Sequence, residues 1–273
     1  MNILPKNNPV KFNKFLFEQL RLDMFKHKFL SLYISSVKKG DKVLYDASVL
    51  NLQEDSWILI LHGEALLIYG ENWKEKQFQE ISSDFDFNKY RNYLVSGDSA
   101  LIRSLINFNK LSNHWTEKER VFYRATQIKK IPLQGESISL GKINELNELA
   151  VMLQEYYKEE YGGQNNKSIE ETTRRIQNLI DSKKIYLLKD TNGEIACFCT
   201  LINPDIGIIF TKSQYRRQGK GKMLLSYCSN LLLKENDEIY LMTDKCNLSS
   251  NMTCMKLGFE QFFDYTSIRI NNG

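Results

Sequence analysis

Six consecutive residues, Arg216, Arg217, Gln218, Gly219, Lys220 and Gly221, form a basic loop with two glycines. The apolar run Ile206-Gly207-Ile208-Ile209-Phe210 precedes it. Leu224, Leu225, Cys228, Leu231 and Leu232 follow at helical spacing. Strand, glycine loop, helix is a way to offer backbone N–H groups to a phosphate. The first turn of a helix has amides with no internal acceptor, and its dipole favours negative charge. Glycine lets a ligand approach the backbone without a side chain between them. The spacing is not that of a nucleotide-hydrolysing phosphate loop, which needs Gly-Lys-Ser/Thr after four intervening residues. Nor is it a dinucleotide loop, because Leu224 stands where a third glycine belongs.

A second motif lies downstream, after the strand-like run Glu238 to Thr243. It reads Thr243-Asp244-Lys245-Cys246-Asn247-Leu248-Ser249-Ser250-Asn251 and closes on Lys256-Leu257-Gly258-Phe259. Together the two motifs resemble the GNAT (N-acetyltransferase) superfamily. Arg216, Gly219 and Gly221 meet its first signature; Asn247, Lys256, Gly258 and Phe259 meet its second. The resemblance is clear over residues 133–273 and is nearest to two-domain bacterial members with a C-terminal catalytic domain. It implies an α/β (α+β) fold with a mixed central sheet flanked by helices, and acetyl-CoA as cosubstrate. The implied reaction is direct transfer of an acetyl group to a primary amine of a small molecule or peptide.

The resemblance also assigns residues. Backbone groups of Ile209, Phe210 and Thr211 would meet the pantetheine arm and the thioester oxygen. Arg216, Arg217, Gln218, Gly219, Lys220 and Gly221 would hold the pyrophosphate, and Asn247 would contact the arm near the thiol. Asn247 also suits a helix N-cap. Seven residues beyond Asn247, where many members carry a tyrosine acid, stands Cys254. A thiol can donate a proton but is a weak hydrogen-bond donor, and free cysteine often simply packs. A charged amine must lose a proton before it attacks. The strand before the loop carries no carboxylate, which leaves Asp244 and Glu160, with Glu159 and Asp205, as candidate bases. The missing tyrosine and carboxylate keep a second reading open: an acetyl-CoA-binding sensor or scaffold without catalysis.

The elements that must position these groups can be read along the chain. Its 273 residues carry a net charge of +4, too little to imply nucleic acid as partner. Five cysteines without framework spacing read as reduced thiols. His27, His62 and His114 are scattered, so no metal is expected. No long apolar run suggests a membrane. A cytoplasmic protein, monomer or homodimer, is the expectation. The polar segment from Gln127 to Gly135 marks a boundary, giving an N-terminal α/β domain at 1–131 and the acetyltransferase domain at 132–273.

In the first domain, Phe12, Phe15, Leu16, Leu20 and Met24 form one helical stripe, and Phe29, Leu30, Tyr33 and Ile34 continue the pattern. Trp57–Leu61 and Ala65–Tyr69 read as a strand pair, Phe85–Leu94 and Ala100–Phe108 as helices, Val121–Thr126 as a strand. In the two-domain members resembled, this half is a degenerate copy of the same fold that binds no coenzyme. In the second domain, strands at 137–140, 184–189, 194–202 and 262–270 are expected. So are helices at 143–161 and after Ser168, the latter opened by a capping box with Glu171.

Overall fold

The computed structural model describes residues 2–3, 22–53, 56–84, 87–90 and 92–271. In chain order the elements are β1 (Asn2–Ile3), α1 (Lys28–Lys39), β2 (Leu44–Gln53), β3 (Ser56–Gly63), β4 (Leu66–Glu71), α2 (Lys76–Asp84), β5 (Leu94–Asp98), α3 (Ser99–Phe108) and β6 (His114–Ala125). They continue as β7 (Ser137–Leu140), α4 (Leu146–Glu160), α5 (Ile169–Asp181), β8 (Ile185–Lys189), β9 (Ile195–Ile202), β10 (Asp205–Thr211), α6 (Lys220–Leu232), β11 (Ile239–Asp244), α7 (Leu248–Leu257) and β12 (Glu260–Ile270).

These elements form two compact units, neither of them a single run of chain. The first holds 1–122, 243–247 and 262–273; the second holds 123–242 and 248–261. In the first unit the strand order is β1-β2-β3-β4-β5-β12-β6; in the second it is β7-β8-β9-β10-β11. Adding six to β1 through β5 gives β7 through β11. In the first unit β5 is flanked by β12, from the far end of the chain. The mixed sheet is thus built twice on one plan, as expected of a repeated fold.

Local chemistry explains most of the elements. The Ser168 hydroxyl accepts the Glu171 N–H at 3.2 Å, and the Glu171 carboxylate accepts the Ser168 N–H at 2.9 Å. This reciprocal cap starts α5 where the sequence places it. Asp98 caps α3 by accepting the Leu101 N–H at 3.0 Å. Burial pushes the Asp98 carboxyl above its ordinary range. One core gathers Ile58, Ile68, Val95 and Ile268 from the first unit's strands under Phe78, Ile81, Leu101 and Leu105. The other packs Leu149, Met152, Leu153 and Ile176 on Leu187, Phe198 and Phe210.

Two expectations need correction. Residues 87–90 form only a 3-10 turn, and the helix lies earlier, at Lys76–Asp84. Asn92, at φ 67°, turns the backbone out of helix before β5 begins. β2 is a strand beyond those that the sequence pattern announces. Phe29, Leu30, Tyr33 and Ile34 do fall in α1, whereas Phe12, Phe15, Leu16 and Leu20 lie outside the described residues. Among the described residues no helix is long and apolar enough to cross a membrane.

Candidate functional site

The site begins where β10 leaves β11. The two strands are parallel, and among the described residues they are in register at Asp205 and Tyr240 alone. Beyond that pair β10 stays with β9, matching Ile209 with Cys199, Phe210 with Phe198 and Thr211 with Cys197. The pairing with β9 shifts between Ile206 and Ile209. In that bulge the Ile208 N–H donates to the Thr200 hydroxyl at 2.7 Å. Gly207 makes the approach feasible: a Cβ there would lie 2.4 Å from that same oxygen. A glycine inside a strand is the sequence signal for such a bulge. Gly207, Ile208 and Ile209 remain half-exposed although β10 is an interior strand.

The basic loop follows. Arg217 and Gly219 take the left-handed conformation, at φ 60° and 77°. Alternating hands of this kind fold a backbone into an anion-binding nest. Gly219 is the N-cap of α6 and supplies no capping side chain. The first helical bond inside α6 runs from the Met223 N–H to the Gly219 carbonyl, at 3.0 Å. The amides of Lys220, Gly221 and Lys222 precede it and have no acceptor in the helix. A Cβ on Gly219 would meet nothing within 4 Å, so the approach to these amides is open. A Cβ on Gly221 would lie 2.9 Å from the Thr211 hydroxyl, so glycine lets the first turn of α6 rest on the end of β10.

Internal carboxylates hold several of the cations. Lys220 pairs with Glu136, whose side chain is 5% exposed. The hydrogen bond from Lys220 holds the Glu136 carboxyl down at about 2. One Arg216 nitrogen meets both Glu159 oxygens, at 2.7 and 2.9 Å, while Arg216 Nε donates to the Thr211 carbonyl at 3.0 Å. Lys212 pairs with Glu148, and the Tyr215 hydroxyl donates to Asp190 at 3.0 Å. The loop therefore meets an anion chiefly with backbone. Glu136 and Thr200 carried no recognisable sequence signal.

The remaining candidates fall elsewhere. Cys254 is 2% exposed, on the face of α7 that also buries Asn251 and Leu257. Burial pushes its thiol up to about 12. A thiol so placed packs, and its raised pKa weakens it as a proton donor to a leaving sulfur. Asp244 and Asn247 lie in the 243–247 segment of the first unit. The Asp244 carboxylate pairs with Lys118 and accepts the Cys246 N–H at 2.9 Å. Burial works to raise its pKa, but Lys118, the Cys246 amide and Arg120 bring it below the ordinary value, which weakens it as a base. Asn247 stands directly ahead of α7 and donates its N–H to the Asp244 carbonyl at 3.0 Å. Asp205 is buried at the start of β10, and Glu160 ends α4.

No protein-family profile matches the sequence, and no curated protein matches it. Solved structures do. An acetyltransferase of the GNAT family from Colwellia psychrerythraea matches at 12% identity with a TM-score of 0.56, over 98% of each chain. A Drosophila protein matches at 11% identity and 0.55, over 98% of this chain and 97% of that one. A GCN5-related N-acetyltransferase from Sphaerobacter thermophilus matches at 13% identity and 0.52, over 82% of this chain and 83% of that one. The fold is that of the GNAT acetyltransferases, as the sequence motifs imply.

Proposed function

We propose that the second unit is an acyltransferase that binds acetyl-CoA along β10 and on the first turn of α6, and passes the acetyl group to a primary amine. The observation that carries this reading is the parting of β10 from β11 directly ahead of an uncapped helix start. Parted strands leave backbone donors and acceptors on β10 for an extended amide-bearing arm. The open amides of α6 suit a diphosphate, and the bare Gly219 admits it. Acetyl-CoA supplies the activated acyl group. The chain's own part is to hold the arm, to present N–H groups where negative charge develops on the acyl oxygen, and to exclude water.

The second reading, a coenzyme-binding sensor or scaffold, is favoured by one observation: the buried Cys254 thiol offers no acid where one is expected. The test is to titrate acetyl-CoA by calorimetry and then follow thiol release with a broad panel of amines. Binding with release supports the transferase, and binding without release supports the sensor. Failure to bind overturns both.

A further inference from the structure

The side of β10 facing α4 and α5 has a composition of its own. Ile208, Tyr156 and Tyr161 are half-buried and lie on the edge of the second unit's core cluster. Tyr156 meets Phe210 edge-on with ring centres 6.4 Å apart, and Tyr161 stacks on Tyr157 at 6.1 Å and 19°. Tyr161 ends α4. Gly162 and Gly163 follow in the left-handed region, at φ 55° and 80°, and a Cβ on either would meet nothing within 4 Å. An apolar strand surface thus runs into half-exposed rings beside an open loop.

Ile206 to Thr211 contains no carboxylate. Glu159 is engaged by Arg216, whose guanidinium lies 5.5 Å from the Phe210 ring centre. Arg175 donates to the Tyr157 hydroxyl and sits 5.8 Å from that ring. Both guanidinium groups beside the rings are already engaged, one by Glu159 and the other by the Tyr157 hydroxyl. Half-exposed tyrosines gain from contact with another ring, through area and edge-to-face geometry.

Resting on the acyltransferase reading above, we propose that the acceptor is a primary amine carrying an aromatic ring, with its ring against Tyr156, Tyr161 and Ile208. The step balances without a further reactant. The neutral amine nitrogen forms a bond to the thioester carbonyl carbon and the carbon–sulfur bond breaks. Its electron pair leaves on sulfur, and the proton lost by nitrogen ends on the thiol or in solvent.

The full chain is given acetyl-CoA with phenethylamine, hexylamine or spermidine, and thiol release is followed. The proposal expects phenethylamine to exceed the other two in kcat/KM by about tenfold or more. Tyr161→Ala and Tyr156→Ala should raise KM for phenethylamine while leaving the coenzyme Kd unchanged, and Tyr161→Phe should restore it. Release with spermidine or hexylamine at equal or better efficiency overturns the aromatic-amine assignment and leaves acyl transfer standing. So does indifference to both alanine variants. Coenzyme binding without release from any amine overturns the acyltransferase reading instead. Proton NMR of phenethylamine on the coenzyme-loaded protein then decides the site. A nuclear Overhauser effect between its ring and the tyrosine rings that disappears in Tyr161→Ala supports the site, and the absence of any such effect in the wild type overturns it.

Discussion

The hydroxyl of Thr200 on β9 accepts the N–H of Ile208 on β10 at 2.7 Å, in the bulge where β10 loses its register. This side chain substitutes for a ladder bond and so makes the bulge cheap to keep. Replacing it with an isosteric methyl leaves a half-buried N–H without its acceptor, a cost of about 1–3 kcal/mol. Thr200→Val should lower stability by that order in urea denaturation and weaken coenzyme binding. Thr200→Ser should keep both. Unchanged stability in the valine variant would remove the bulge from the argument.

Gly219 has two separable duties. Its φ of 77° costs a β-branched residue about 1–2 kcal/mol. Its Cβ position is open space, which the proposed coenzyme site needs. Gly219→Val should therefore lose both stability and coenzyme affinity. Gly219→Asn tolerates the left-handed region, so it should hold its melting temperature yet still bind coenzyme about tenfold or more weakly. If the asparagine variant binds normally, the approach to α6 is not the one assigned.

Much of this was legible in the sequence because its causes are local. Ser168 and Glu171 cap a helix wherever they occur three apart ahead of an apolar face. The glycines of the loop and the strand before it follow from short-range patterns. Glu136 is 84 positions from Lys220, so no window of sequence links them. The burial of Cys254 depends on which face of α7 turns inward. That face repeats weakly, since Leu248, Met252 and Met255 are apolar yet exposed. The pairing of β12 with β5 is likewise long-range. The apolar spacing alone would have run a helix from Phe85 to Leu94, where the chain has only a 3-10 turn ahead of Asn92.

Lys220 and Glu136 predict a pH dependence with a defined sign. The carboxyl is held at about 2 in the fold, chiefly by its hydrogen bond from Lys220, against 4.5 ordinarily. A depressed carboxyl contributes its stability above the unfolded value, and loses it as pH falls from about 4.5 towards 2. Thermal melts across that range should show the loss in the wild type, and a smaller loss in Glu136→Gln. The same variant frees Lys220 at the start of α6. Coenzyme should then bind a few-fold more tightly at low salt, and the gain should shrink as salt is raised. Equal acid sensitivity in both proteins would refute the pairing.

The thiols can be counted. Cys246 is exposed, and Cys197, Cys199, Cys228 and Cys254 are buried. Burial pushes Cys197, like Cys254, up to about 12. A disulfide reagent should therefore titrate one thiol quickly in the native protein, and Cys246→Ser should abolish that phase. Cys254→Ala removes a packing group rather than an acid. It should cost about 1–2 kcal/mol of stability, with turnover and its pH profile kept. A fall in turnover with an altered alkaline limb would restore Cys254 to the chemistry.

The repeat raises the question of how many coenzymes one chain holds, and the first unit answers it residue by residue. β4 and β5 correspond to β10 and β11, but they stay in register through Leu66 with Val95, Leu67 with Ser96 and Ile68 with Gly97. A Cβ on Gly97 would lie 1.9 Å from the Ile68 carbonyl, so the strands are drawn close where their counterparts part. The turn into α2 spans only residues 72–75. Its amide at Lys74 already donates to the Gln77 side chain at 2.6 Å, and the Gln77 amide is tied to the Ser56 hydroxyl at 3.3 Å. An anion has no place to displace these bonds without leaving buried groups unpaired. Calorimetric titration should therefore saturate at one coenzyme per chain, and Gly219→Val should weaken that single transition. A second transition of comparable affinity that survives Gly219→Val would show that the first unit binds coenzyme as well.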